Sequence, residues 1–182
     1  MKWNQILLRS VFICALLTLT GFSSGMAQGP NADTTNRWEP YRFLLGNWVA
    51  DTTANPSAGS GEFSFTLELS DNILVRKNHA VVSPGPDKPP ASHDDLMIIF
   101  QDRGQTRASY WDNEGHAITY AVSFNAANDT LSFVSDLITG APRFRLQYIK
   151  LADGGLKITF DFAPPGQPEA FSPYLQGTAH RK

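Results

Sequence analysis

A chain of 182 residues, 42% of them hydrophobic and 12% aromatic, is long enough for one globular domain and too short for two. Its formal charge of −2, with no basic run and no zinc-ligand spacing, argues against a nucleic-acid partner. Twelve Phe, five Tyr and four Trp supply a large apolar area for a core.

The N-terminus has the pattern of an export signal. Lys2 and Arg9 form a short positive region, residues 11–19 are an apolar stretch too short to span a bilayer, and Gly25-Met26-Ala27 fits a signal-peptidase site. Residues 1–27 are therefore expected to be a cleaved signal peptide, leaving a periplasmic or secreted protein with no membrane span. Cleavage removes Lys2 and Arg9 from the 15 basic residues, leaving 13 against 17 acidic ones and a formal charge of −4. Cys14, the only cysteine, leaves with the signal. No disulfide is then available, although the compartment would permit one, and stability must come from the core.

Residues 28–37 are polar and aperiodic, as in a flexible leader. Residues 38–182 carry the domain. Trp38, Tyr41, Leu44 and Leu45 stand at helical spacing, which predicts one or two helical turns ended by Gly46. Trp48-Val49 opens a first strand. Phe63, Phe65, Leu67 and Leu69 then alternate with Glu62, Ser64, Thr66 and Glu68, the period of a strand with one dry and one wet face. Further strands are predicted at 73–82, 95–100, 106–112, 116–124, 130–136, 143–150, 156–163 and 171–180, separated by segments rich in Gly, Pro, Asn and Asp. Ten strands with short connections predict an all-β antiparallel meander, and closure into a single barrel removes its exposed edges.

Two hairpins indicate which faces point inward. In Asp112-Asn113-Glu114-Gly115-His116, a three-residue loop with Gly115 left-handed pairs Tyr110 with Ile118 and Ala108 with Tyr120, and turns Trp111 outward. The same rule at Asp153-Gly154-Gly155, with Gly155 left-handed, sets Tyr148 against Phe160 and Leu146 against Phe162. In the 73–82 strand the choice stays open: either Lys77 and His79 or Arg76 and Asn78 face the interior.

Several residues resemble those of the calycin-type barrels, the lipocalins, fatty-acid-binding proteins and nitrobindins, and most of all exported bacterial lipocalin-like domains. Gly46-Asn47-Trp48 after a helical turn resembles the Gly-x-Trp that opens a lipocalin barrel, Asp112-Asn113-Glu114-Gly115 resembles a hairpin of the bacterial domains, and Arg181 stands near a basic residue common to the last strand. The resemblance implies a barrel that holds a small molecule. Nitrobindins bind haem through a His that follows a proline in the last strand. Here Pro173 is followed by Tyr174, so haem would need tyrosine ligation, and no cofactor is expected.

Asp112 and His116 are the sharpest candidates for chemistry, because the hairpin sets a carboxylate beside an imidazole. A structural hydrogen bond closing the hairpin would explain the pair equally well. His93-Asp94-Asp95 does not form an expected metal site, since adjacent acids on a strand project to opposite faces. No Ser stands in a nucleophile elbow and no Gly-rich loop precedes a helix. The leading expectation is an interior that binds a small apolar or amphipathic ligand, lined by Phe65, His79, Tyr110, Asp112, His116, Ile118, Tyr120, Phe133, Tyr148 and Phe160, with Phe63, Phe144 and Phe162 beside them. The alternatives are an enzyme on the same barrel, using Asp112–His116 with Tyr110 or Tyr120 for proton transfer, and a filled barrel with a structural or protein-binding role. N-terminal sequencing of exported material should begin at or near Gln28; intact Met1 in that material would refute the signal.

Overall fold

The computed structural model describes residues 37–52, 60–82 and 89–182. The expected signal lies outside the described residues, as does the expected leader apart from Arg37.

A single 3-10 turn, Glu39–Tyr41, is followed by ten strands: β1 (Gly46–Ala50), β2 (Ser60–Glu68), β3 (Ile73–Val82), β4 (Ala91–Asp102), β5 (Gln105–Asp112), β6 (Ala117–Phe124), β7 (Thr130–Ser135), β8 (Arg143–Lys150), β9 (Leu156–Ala163) and β10 (Ser172–Arg181). Each strand pairs antiparallel with its neighbours in sequence, and β1 pairs with β10 to close the barrel. The expected all-β meander of ten strands is the observed fold. The helical segment is tighter than its spacing predicted, with Pro40 in the first positions of the 3-10 turn. β4 begins four residues earlier than predicted, which makes His93 and Asp94 strand residues.

The Asp112–His116 hairpin has the predicted register: Tyr110 pairs with Ile118 and Ala108 with Tyr120. Gly115 is left-handed (φ +91°). Trp111 is exposed while Tyr120 is buried. The β8–β9 hairpin corrects its prediction by two residues. Gly154, not Gly155, is left-handed, and Tyr148 pairs with Ile158, Leu146 with Phe160 and Phe144 with Phe162. The cause is local. The Asp153 carboxylate accepts the Gly155 N–H at 2.8 Å, and Leu151 N–H donates to the Gly155 carbonyl at 2.9 Å, so the loop is Ala152-Asp153-Gly154. A slip of two leaves every side chain on its predicted face; a slip of one would have inverted one strand relative to the other.

Strand direction sorts the loops to two ends. At one end the 3-10 segment folds Trp38, Tyr41 and Leu44 into the barrel base, all buried. Trp48, fully buried, donates its indole N–H to the Leu44 carbonyl at 2.7 Å. The Arg181 guanidinium stacks 4.7 Å from the Trp48 ring and donates to the carbonyls of Leu45 and Phe43 at 2.6 and 3.2 Å. These contacts satisfy the carbonyls left free at the end of the turn. Gly46 is held at φ +112°, and a Cβ there would lie 3.0 Å from an Arg181 nitrogen. Gly46→Ala is therefore expected to cost about 1–3 kcal/mol, the range for a side chain forced into a left-handed backbone. Urea unfolding should show a lower midpoint at unchanged slope.

Candidate functional site

The opposite end carries the β5–β6, β7–β8 and β9–β10 connections, and its inner wall is polar on one side and aromatic on the other. The polar side starts from the face of β3 that sequence left open. Phe65 of β2 pairs with Arg76 of β3, and Phe63 with Asn78. Directly paired residues share a face, and Phe63 and Phe65 are buried. Arg76 and Asn78 therefore point inward, while Lys77 and His79 point out. His79, expected in the lining, stands on the outer wall with its Nδ1 2.6 Å from Asp94 Oδ1. Lys77 joins Leu96 and Trp111 along an outward-opening groove of about 400 Å³.

Inside, Arg76 forms an ion pair with Asp95 of β4, both side chains nearly inaccessible. Asn78 donates to the second Asp95 oxygen at 3.0 Å. His93 Nε2 lies 3.5 Å from that oxygen and 3.1 Å from the Tyr110 hydroxyl. Tyr110 donates to Asp112 Oδ2 at 3.1 Å, and His116 Nδ1 lies 2.9 Å from the same atom. Asp112 Oδ1 accepts the backbone N–H groups of Glu114 and His116 at 3.0 and 2.9 Å. His93 Nδ1 meets Glu114 Oε1 at 3.0 Å. One connected network thus runs from the buried guanidinium to the rim, where the His116 side chain is 63% exposed while Asp112 is 3% exposed.

The environment sets the charges. Burial pushes the Tyr148 hydroxyl up to about 12, against the opposing charge of Arg76, and burial raises Tyr110 and Tyr120 as well. All three are hydroxyl donors at neutral pH. Burial would raise the Asp112 carboxyl, but hydrogen bonds from the His116 backbone and ring and from Tyr110 outweigh it and hold the group below its ordinary value. Burial raises Asp95, opposed chiefly by the charge of Arg76. A neutral Asp95 would strand a buried guanidinium without a counter-ion, so the pair stays ionic.

The facing wall is aromatic. Phe144 and Phe160 stack at 5.6 Å, Phe162 lies 6.1 Å from Phe144, and Tyr174 meets Phe160 edge-on at 6.1 Å. The three Phe rings are only partly buried. Beside them, Leu175 pairs with Phe160 and Gly177 with Ile158, on the inward face of β10. Leu175 is 58% exposed, and a methyl group at Gly177 would meet no atom within 4 Å. The inner surface here borders open space. Between the walls, Tyr148 packs against Phe63, Phe65 and Phe133 at 5.8, 5.3 and 6.1 Å, and the Arg76 guanidinium lies 5.8 Å from the Phe63 ring and 6.0 Å from that of Tyr148.

Two buried polar atoms, Arg76 Nε and the Tyr148 hydroxyl, make no hydrogen bond of good geometry among the described residues, although the Arg76 side chain reaches the Tyr148 oxygen closely enough to oppose the rise in its pKa. Each such group costs about 1–3 kcal/mol unless something satisfies it.

Of the residues singled out from sequence, Phe65, Tyr110, Ile118, Tyr120, Phe133, Tyr148 and Phe160 lie on inward faces, and Asp112 and His116 meet at the rim. Tyr110 joins the acid–imidazole pair. Asp95 and His93 were weighed only as a metal corner and not as part of the lining, although both alternate with Met97 and Ile99, which are buried; extending that period to His93 would have placed them inside. Among the described residues no cluster of His, Cys, Asp and Glu side chains is arranged to hold a metal ion. No protein-family profile matches the chain, and no curated protein matches it in sequence.

The network makes acid stability a readout of Asp112. Its carboxyl is depressed when folded, so the stability it contributes is present above its ordinary value of 3.8 and is lost as pH falls through the depressed value. Asp112→Asn should lower stability at pH 7 by about 1–3 kcal/mol. Thermal melts at pH 7 and at pH 3 should show the gap between variant and parent shrinking on acidification.

Proposed function

We propose that this is an exported, calycin-like barrel that holds a small, partly apolar molecule in its interior, admitted at the end that carries the polar network. The reading rests above all on the orphaned pair at its centre, Arg76 Nε and the Tyr148 hydroxyl. Buried donors without partners are uncommon in folded proteins, and a guest with an acceptor oxygen would satisfy both. The partly exposed Phe144, Phe160 and Phe162 and the open space beside Gly177 offer an apolar body its surface, at about 25 cal/mol per Å² removed from water. The Gly46–Trp48–Arg181 arrangement at the closed end supports the calycin likeness. The head group is thus assigned deeper than His116, which stays at the rim beside Asp112.

A second reading, a proton-transfer enzyme on the same barrel, is favoured by one observation: the Tyr110 hydroxyl lies within hydrogen-bond reach of both His93 and Asp112. Incubating the protein with each ligand it binds and analysing the recovered ligand by mass spectrometry separates the two. Unchanged ligand removes the enzyme.

Tyr148→Phe tests the binding reading directly. Without ligand the variant should be as stable as the parent or about 1 kcal/mol more stable, since it loses an unsatisfied hydroxyl. In a fluorescence-displacement screen of fatty acids, retinoids, haem and phenolic acids, it should bind each hit roughly tenfold more weakly. Unchanged affinity for every hit would show that the orphaned pair anchors nothing.

A further inference from the structure

We infer that the group received by Arg76 and Tyr148 is an uncharged acceptor, such as a ketone, ester or amide carbonyl, and not a carboxylate. The inference rests on the binding reading above and specifies its ligand.

The first argument is charge. Arg76 already has a counter-ion in Asp95. Asp112, two strands away along the same wall, is a second inward carboxylate, and its ring partner His116 sits out at the rim. Glu114 adds a third acid at the loop tip, against His93. The permanent charges around the orphaned pair are therefore one guanidinium against two inward carboxylates and a rim glutamate, with His93 and His116 the only other titratable cations in the network. The other nearby cations lie on the outer wall: Lys77 along the groove with Trp111, and Arg107, Arg143 and Arg145 in ion pairs with Asp136, Glu169 and Asp161. Arg181 sits at the far end, on backbone carbonyls. A guest carboxylate would add an anion to an acid-rich wall in a poorly hydrated site, where like charges repel more strongly than in water.

The second argument is donor geometry. A carboxylate is best matched by the two parallel N–H groups of a guanidinium fork; on Arg76 Nη1 is committed to Asp95, which closes the end-on fork and leaves the side-on edge at Nε. What is left unsatisfied is one N–H on Nε and one hydroxyl on a neighbouring ring. Two single donors from adjoining side chains suit the two lone pairs of one carbonyl oxygen. Arg76 has no acceptor atom, and Tyr148 keeps its proton at neutral pH, so both can donate at once.

The experiment uses chain-matched probes that differ in the head alone: dodecanoic acid, methyl dodecanoate and 2-tridecanone. Each displaces the neutral dye N-phenyl-1-naphthylamine from the full mature protein at pH 7.5. The expected result is that ketone and ester displace the dye at concentrations at least tenfold lower than the acid. Tyr148→Phe should raise the ketone concentration required by about tenfold, and Asp112→Asn should narrow the gap between acid and ketone by lowering the acid value alone. If the acid competes as well as the ketone or better, the neutral-head inference is overturned and the binding reading stands. If the ketone is preferred but Tyr148→Phe leaves its value unchanged, the assigned anchor is overturned. If none of the three displaces the dye, or the dye does not bind, the binding reading fails with it.

Discussion

A guanidinium in the middle of an aromatic barrel has to be paired, and the pairing of Arg76 with Asp95 organises the polar half of this molecule. Leaving either charge alone in that environment would cost several kcal/mol. The pair spans β3 and β4, one step along the strands from direct opposition: Arg76 faces Met97, while Asn78 faces Asp95 and donates to it. This arrangement needs β4 to continue past Asp95 to Ala91, and that extension carries His93 to the Tyr110 hydroxyl. From Tyr110 the network passes to Asp112 and on to His116. Each group beyond the ion pair is a partner for the one before it, and the network ends at His116, which meets solvent.

The two ends of the barrel solve different problems. At the closed end, indole and guanidinium donors cap the carbonyls at the end of the 3-10 segment, and the Arg181 guanidinium lies over the Trp48 ring. Gly46 leaves little room for a side chain there, since a Cβ would lie 3.0 Å from an Arg181 nitrogen. Toward the barrel's centre two donors are left unsatisfied, and the phenylalanines of the aromatic wall are only partly buried. The interior holds unmet hydrogen-bonding capacity, which is uncommon for buried groups in folded proteins.

The outer wall carries its own polar pattern, separate from the interior. His79 with Asp94, Arg145 with Asp161 and Arg107 with Asp136 pair across or between strands on the solvent side. Phe171, from the β9–β10 connection, lies 4.6 Å from the Arg145 guanidinium and so covers the Arg145–Asp161 pair. Asp161, on an outward-facing position, is buried beside the Arg145 guanidinium.

The sequence alone determined the class of fold, the number of strands and most inward faces, because alternation in strands such as 63–67 and 116–124 is a local property with a period of two. It also determined the Asp112–His116 pairing, because Gly115 and the acid before it leave one favourable three-residue turn. At the second hairpin it read the faces correctly and the register two residues out, since Gly154 takes the left-handed position in place of Gly155 when the Asp153 carboxylate closes the turn onto the Gly155 N–H. Tertiary pairing decided what no local period contains. The 73–82 strand is amphipathic in neither sense, having a cation on both faces, and only its register against Phe63 and Phe65 sent Arg76 inward and His79 out. The orphaned donors at Arg76 and Tyr148 belong to strands far apart in the chain, and whether a buried polar atom is satisfied depends on every neighbour the closed barrel brings to it.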